Sequence, residues 1–244
     1  MAEQGVGGGD VGGDRSAPGQ PPLDADRPGA RMTGMTRYAR DERRSLCDTL
    51  LAVGPDAPTL CEGWITRDLA THLVLRDRRP DAELGRHVPF LRARAEAVRA
   101  GYRDRAWPDL VATVRQGPPA LHPARLGRVD EAMNTAEMFV HHEDVLRAQP
   151  EWAARSLPDG LQAALWSSLR TASRLALRRA PVGVELVAPG HGRQPGHGGS
   201  PVVRVEGPPS EVLLFVFGRR DEALVDLDGP NAAIDRLRAS PAGL

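Results

Sequence analysis

Apolar residues in the first two thirds of the chain recur at helical spacing. Leu46, Leu50 and Leu51, with Cys47 beside them, mark the stripe of a first helix ending near Gly54-Pro55. Thr66 reads as the N-cap of a second helix, with Ile65 stapled onto Ala70. That helix carries Leu69, His72 and Leu73 on one side and fades towards Pro80. Residues 82–101 and 107–116 read as helical pieces around Tyr102 and Trp107, followed by a Pro-rich loop from Gly117 to Pro123. Residues 129–148 predict a long helix stopping before Pro150. Leu161, Leu165, Leu169 and Leu175 mark another over 159–179 that stops at Pro181. Amphipathic helices joined by mostly modest loops predict a helix bundle over 35–180.

The period changes after Pro181. Val182, Val184 and Leu186 alternate with smaller or polar residues, as do Val203 and Val205, which predicts short strands around a Gly-rich loop from Pro189 to Ser200. Residues 209–217 read as a helix, 223–227 as a strand and 230–239 as a last helix, so 181–244 predicts a small α/β domain. Residues 1–34 have almost no bulky apolar residues and are rich in Gly, Pro, Asp and Arg, which predicts a disordered tail. That tail lacks the apolar core of about 7–15 residues of a secretory signal, and Met32 and Met35 stand as alternative translation starts. Gly7, Gly9 and Gly12 spell a dinucleotide-binding pattern, but no strand precedes them and no helix follows closely.

Composition narrows the function. Of 244 residues, 41 % are hydrophobic and 26 % charged, as in a soluble globular protein. The 32 positive charges, all Arg, are balanced by 32 acids, which argues against a general nucleic-acid or anionic-membrane binder. No apolar run approaches the roughly 18 residues of a membrane span. Two cysteines, Cys47 and Cys61, make neither a disulfide framework nor a four-thiolate zinc site and fit a reducing cytoplasm.

The densest chemistry lies between Asn134 and Val145. At about 100° per residue, Glu137 and His141 fall about 40° apart, and Asp144 about 20° to the other side of Glu137. Ala136, Met138, Phe139, Val140, Val145 and Leu146 fill most of the remaining circumference, so the helix is expected to be largely buried. A carboxylate and an imidazole inside a bundle are costly unless paired or bound to a metal. A Glu–His–Asp hydrogen-bond network and a metal site both satisfy that requirement. His72, beside the core stripe of the second helix, shifts the balance, because two helices of one bundle then offer two imidazoles and a carboxylate. That set leaves an open position on a catalytic zinc. It also suits non-haem iron, although nothing else suggests an oxygenase. His142 points about 100° away from His141, towards another helix or solvent. His87 and His122 lie near loops without partners at ligand spacing, and His191 and His197 sit in the Gly-rich loop.

Gly63-Trp64, Arg67-Asp68-Leu69 and His72, then Glu137-x-x-x-His141-x-x-Asp144, resemble the mycothiol-dependent maleylpyruvate isomerase family of the DinB-like metal-binding superfamily. Val205-x-Gly207, Leu213-Leu214 and Phe217-Gly218-Arg219 are similar to the small second domain of that family, so the resemblance spans about residues 36–240. It implies a mainly α protein, a DinB-like four-helix bundle followed by a small α/β domain. It implies zinc, or another divalent metal, on His72, Glu137 and His141, and Arg219 presented to the active-site cleft. Asp144, one turn beyond His141, would orient that imidazole or make an ordinary interhelix hydrogen bond. Arg219 would pair with a carboxylate of substrate or cofactor, or lie solvated at a helix C-terminus. The expected activity is that of a thiol-dependent transferase or isomerase, with a small thiol such as mycothiol and an electrophilic substrate as partners. A thiolate attack on carbon gives S-transfer, or cis–trans isomerisation if the addition is reversed after bond rotation. A metal-dependent hydrolase and a non-enzymatic metal-binding or regulatory protein remain as alternatives on the same bundle.

Overall fold

The computed structural model describes residues 28–85, 88–119 and 128–241. In chain order the helices are α1 (Pro28–Val53), α2 (Thr66–Arg78), α3 (Pro80–Gly85), α4 (Arg92–Arg103), α5 (Trp107–Gln116), α6 (Arg128–Leu146), α7 (Asp159–Ala176), α8 (Pro209–Val216) and α9 (Asn231–Ala239). The strands are β1 (Gly183–Ala188), β2 (Gly192–His197), β3 (Val202–Glu206) and β4 (Asp226–Asp228). None of the described helices is long and apolar enough to cross a membrane.

The protein is mainly helical, and its apolar stripes meet in two principal cores. Leu46, Cys47 and Leu50 of α1 pack with Leu69, Ala70, Leu73 and Val74 of α2, Leu110, Val111 and Val114 of α5, and Met138 and Val145 of α6. The opposite side of α6, through Ala136, Phe139 and Val140, joins a second core. There it meets Leu161, Leu165 and Leu169 of α7, the inner residues of β1 and β3, all of α8 from Val212, and Ala233 and Leu237 of α9. α6 is apolar on two sides because it is buried on two sides. α7 shares its core with the sheet while also packing on α6.

The sheet runs β2-β1-β3-β4, with β1 and β3 parallel and the outer pairs antiparallel. β2 lies inside the stretch expected to be loop. Its residues do not alternate, and they enter the sheet through a tight turn and backbone pairing with β1. The His191 amide donates to the Ala188 carbonyl at 2.9 Å, with Gly190 at φ 79°. Pro189-Gly190 is the pair that a type II turn favours, and it closes the hairpin.

Two boundaries also differ from the sequence expectation. α1 starts at Pro28, so residues 28–34 are helical rather than tail; Pro is well suited to a first helical turn, and Ala30, Arg31 and Met32 are good helix formers. Residues 1–27 of the expected tail lie outside the described residues. The N-cap of α2 is Ile65, not Thr66. The Thr66 hydroxyl is instead committed to the Gly54 carbonyl at 2.6 Å, tying α2 to the end of α1.

Candidate metal centre

α2 and α6 bring His72, Glu137 and His141 together. One ligand atom from each lies within 4.8 Å of the others. The His72 and His141 rings meet edge-on with centroids 5.5 Å apart, and the Trp64 ring lies tilted against His72 at 5.3 Å. All three donor residues are partly exposed, so an ion and an outside ligand both have access. His141 Nε2 lies 4.0 Å from Glu137 Oε1. That gap is beyond a hydrogen bond and wider than the roughly 3.3 Å between ligands at tetrahedral zinc with bonds of about 2.0 Å. Glu137 is drawn the other way, because its second oxygen pairs with Arg76 at 2.5 Å.

Behind this cluster lies a second layer. Asp144 is fully buried, and its Oδ2 stands 3.0 Å from His141 Nδ1. Burial alone would raise its pKa. Hydrogen bonds from His141 and Arg219, with the guanidinium charge, outweigh burial and hold it at about 2. An ionised carboxylate only accepts, so His141 Nδ1 is the donor of that bond, and Nε2, on the Glu137 side, is the nitrogen left to meet an ion. A ligating histidine held in this way by a carboxylate is a common arrangement.

Cys61 completes the layer, through a thiol donating to Asp144 Oδ2 at 3.2 Å. The loop carrying it is pinned where the Leu60 amide donates to the Asp144 carbonyl, and by the Pro58–Ile65 bridge. Burial and the Asp144 charge push the Cys61 thiol up to about 12, with Arg219 opposing. It therefore stays protonated at neutral pH. The loop that carries Cys61 has no periodicity in the sequence that would aim it at α6. Cys61, His141 and Asp144 also stand within 4.8 Å of one another, but the Arg219 guanidinium, 3.5 Å from the sulfur, already supplies the cation there.

His142 turns away, as its helical phase requires. It is buried against α1, 2.9 Å from the Thr49 hydroxyl and 3.1 Å from Glu42. His191 lies in the hairpin turn and His197 in β2, while His87 and His122 lie outside the described residues.

The donor set suits a divalent ion: two imidazole nitrogens and one carboxylate oxygen, one imidazole already oriented by a buried carboxylate. No protein-family model matches the chain, and neither does any curated protein. Among solved structures, an alanine-for-histidine variant of the mycothiol-dependent maleylpyruvate isomerase aligns with a TM-score of 0.53 and 16 % identity, over 81 % of this chain and 92 % of that one. A second crystal structure of the enzyme aligns at 0.48 and 16 %, over 82 % and 92 %. In fold, the chain is similar to the mycothiol-dependent maleylpyruvate isomerase, the family that its motifs resemble.

Proposed function

We propose that this protein holds a divalent metal, which we take to be zinc, on His72, Glu137 and His141, and uses it with a small thiol as a transferase or isomerase. The observation that carries the proposal is the convergence of three ligand atoms, from two helices, within 4.8 Å. The fold likeness supports the thiol, because the similar enzyme is described as mycothiol-dependent.

A metal ion bound there supplies the positive charge that lets a thiol lose its proton at neutral pH and be held as a nucleophile. The residues of the chain do the rest. His72 and His141 give neutral nitrogens, and Glu137 gives the single negative charge of the set. Trp64 packs against the His72 ring and helps fix its orientation. Cys61, kept protonated, does not compete as a nucleophile. Arg76 holds Glu137 Oε2 and leaves Oε1, on the His141 side, as the oxygen that would take an ion.

Metal analysis of protein purified without a His tag tests the metal, with about one divalent ion per chain expected. Calorimetry with mycothiol on metal-loaded protein then tests the thiol. Heat that disappears in Glu137→Ala is the expected result. A protein that takes up no metal ends the proposal, and metal-loaded protein that ignores the thiol ends its second half.

A further inference from the structure

Arg219 enters the site from the α/β side of the molecule, and its placement is set by a helix end. α8 finishes in a Schellman turn: the Gly218 amide donates to Phe215 O at 3.1 Å and the Arg219 amide to Leu214 O at 2.9 Å. Gly218, at φ 92°, supplies the left-handed residue that this turn needs. The chain is thereby aimed back at α6. Arg219 Nε donates to Asp144 Oδ1 and a terminal nitrogen to Oδ2, each at 2.6 Å, as a two-pronged fork. The other terminal nitrogen donates to Phe217 O at 2.6 Å. The side chain is only 19 % exposed, so most of its donors are spent inside the protein.

We infer that Arg219 is a positioning residue of the metal centre rather than a binder of substrate carboxylates: it fixes Asp144, and Asp144 fixes the His141 ring. Asp144 comes from the same helix as His141, three residues on, and an unbraced carboxylate at that spacing has rotamer freedom. Two charge-assisted bonds from Arg219 remove it. The loop thiol of Cys61 closes the remaining side of the same oxygen. The α/β region therefore takes part in metal binding without contributing a ligand, and docking of that region and metal affinity are coupled in both directions. The inference rests on the metal reading of His72, Glu137 and His141.

Outer-sphere partners of this kind are worth about 10- to 100-fold in metal affinity. Zinc dissociation constants, measured by chelator competition, and visible spectra of the cobalt-loaded protein test it in wild type, Arg219→Ala, Arg219→Lys and Asp144→Asn. Arg219→Ala is expected to weaken zinc by about 10- to 100-fold and to shift the cobalt bands, which report ligand geometry. Arg219→Lys is expected to recover only part of this, because an ammonium cannot span both carboxylate oxygens. Asp144→Asn is expected to resemble Arg219→Ala, and it serves if that variant does not fold. Wild-type zinc affinity and cobalt bands in Arg219→Ala and Asp144→Asn would overturn the inference while leaving the metal reading intact. Unchanged zinc affinity in His72→Ala and Glu137→Ala would instead overturn the metal reading.

Discussion

α6 carries two polar clusters of similar composition that point to opposite jobs. On one side, His142, Glu143 and Arg147 reach Glu42 of α1, Arg155 of the following loop and Glu211 of α8. Every charge there has an opposite: Arg147 pairs with Glu143 and Glu211 at 2.6 Å, and Arg155 with Glu143 at 2.6 Å and Glu42 at 3.0 Å. Arg147 and Glu143 are about as deeply buried as the apolar core. On the other side, His72, Glu137 and His141 bring together three electron-pair donors against one cation, Arg76, and remain open to solvent. The first cluster is complete as it stands and ties α1, α6 and α8 together. The second gathers three donor groups beside a single cation, Arg76, and that arrangement supports the proposed metal.

The comparison breaks most readily at Arg147. Its removal leaves Glu211 buried without its ion-pair partner and Glu143 with Arg155 alone, a loss of about 3–5 kcal/mol. Chemical denaturation of Arg147→Ala should show that loss, whereas Glu137→Ala without metal should stay near wild type. Metal should narrow the gap between the two variants. At 100 times its dissociation constant it adds about 2.7 kcal/mol to wild type, read as a raised melting temperature, and adds nothing to Glu137→Ala. A smaller effect is expected from Gly218→Ala, where a left-handed residue other than Gly costs about 1–2 kcal/mol. That variant should also weaken metal binding less than Arg219→Ala does.

The smallest effect is a slope with pH. Burial alone would raise the Glu42 pKa, but hydrogen bonds from His142 and Arg155 and the Arg155 charge hold it below its usual 4.5. A depressed carboxylate contributes stability that is full above its unfolded pKa and is lost as pH falls through the folded one. Stability measured from pH 6 down to pH 3 should therefore fall less steeply in Glu42→Gln than in wild type.

The helical phase of the site was legible in the sequence, because Glu137, His141 and Asp144 share one helix whose apolar neighbours fix its rotation. The leucine stripes of α1, α2 and α7 were legible for the same reason, since periodic burial leaves a periodic pattern. What escaped depends on contacts far apart in sequence. The Asp144 partner of Arg219 lies 75 residues away, and nothing local names that pair. Gly218, as the residue closing a helix end, was the one available signal that Arg219 is rigidly aimed. β2 escaped because backbone pairing with β1, rather than alternation, makes it a strand, although Pro189-Gly190 marked its turn. Cys61 is placed by a loop whose anchor is the α6 backbone.

Adjacent histidines on α6 give the most direct test. His141 and His142 are chemically identical neighbours in sequence, separated only by helix phase, and the account assigns them to the metal centre and the buried charge cluster respectively. Zinc content and zinc affinity of His141→Ala and His142→Ala, measured side by side on folded protein, decide it. The account predicts that His141→Ala loses the metal at unchanged fold, while His142→Ala keeps about one zinc per chain at wild-type affinity. Retention of zinc by His141→Ala with its loss from His142→Ala would contradict it.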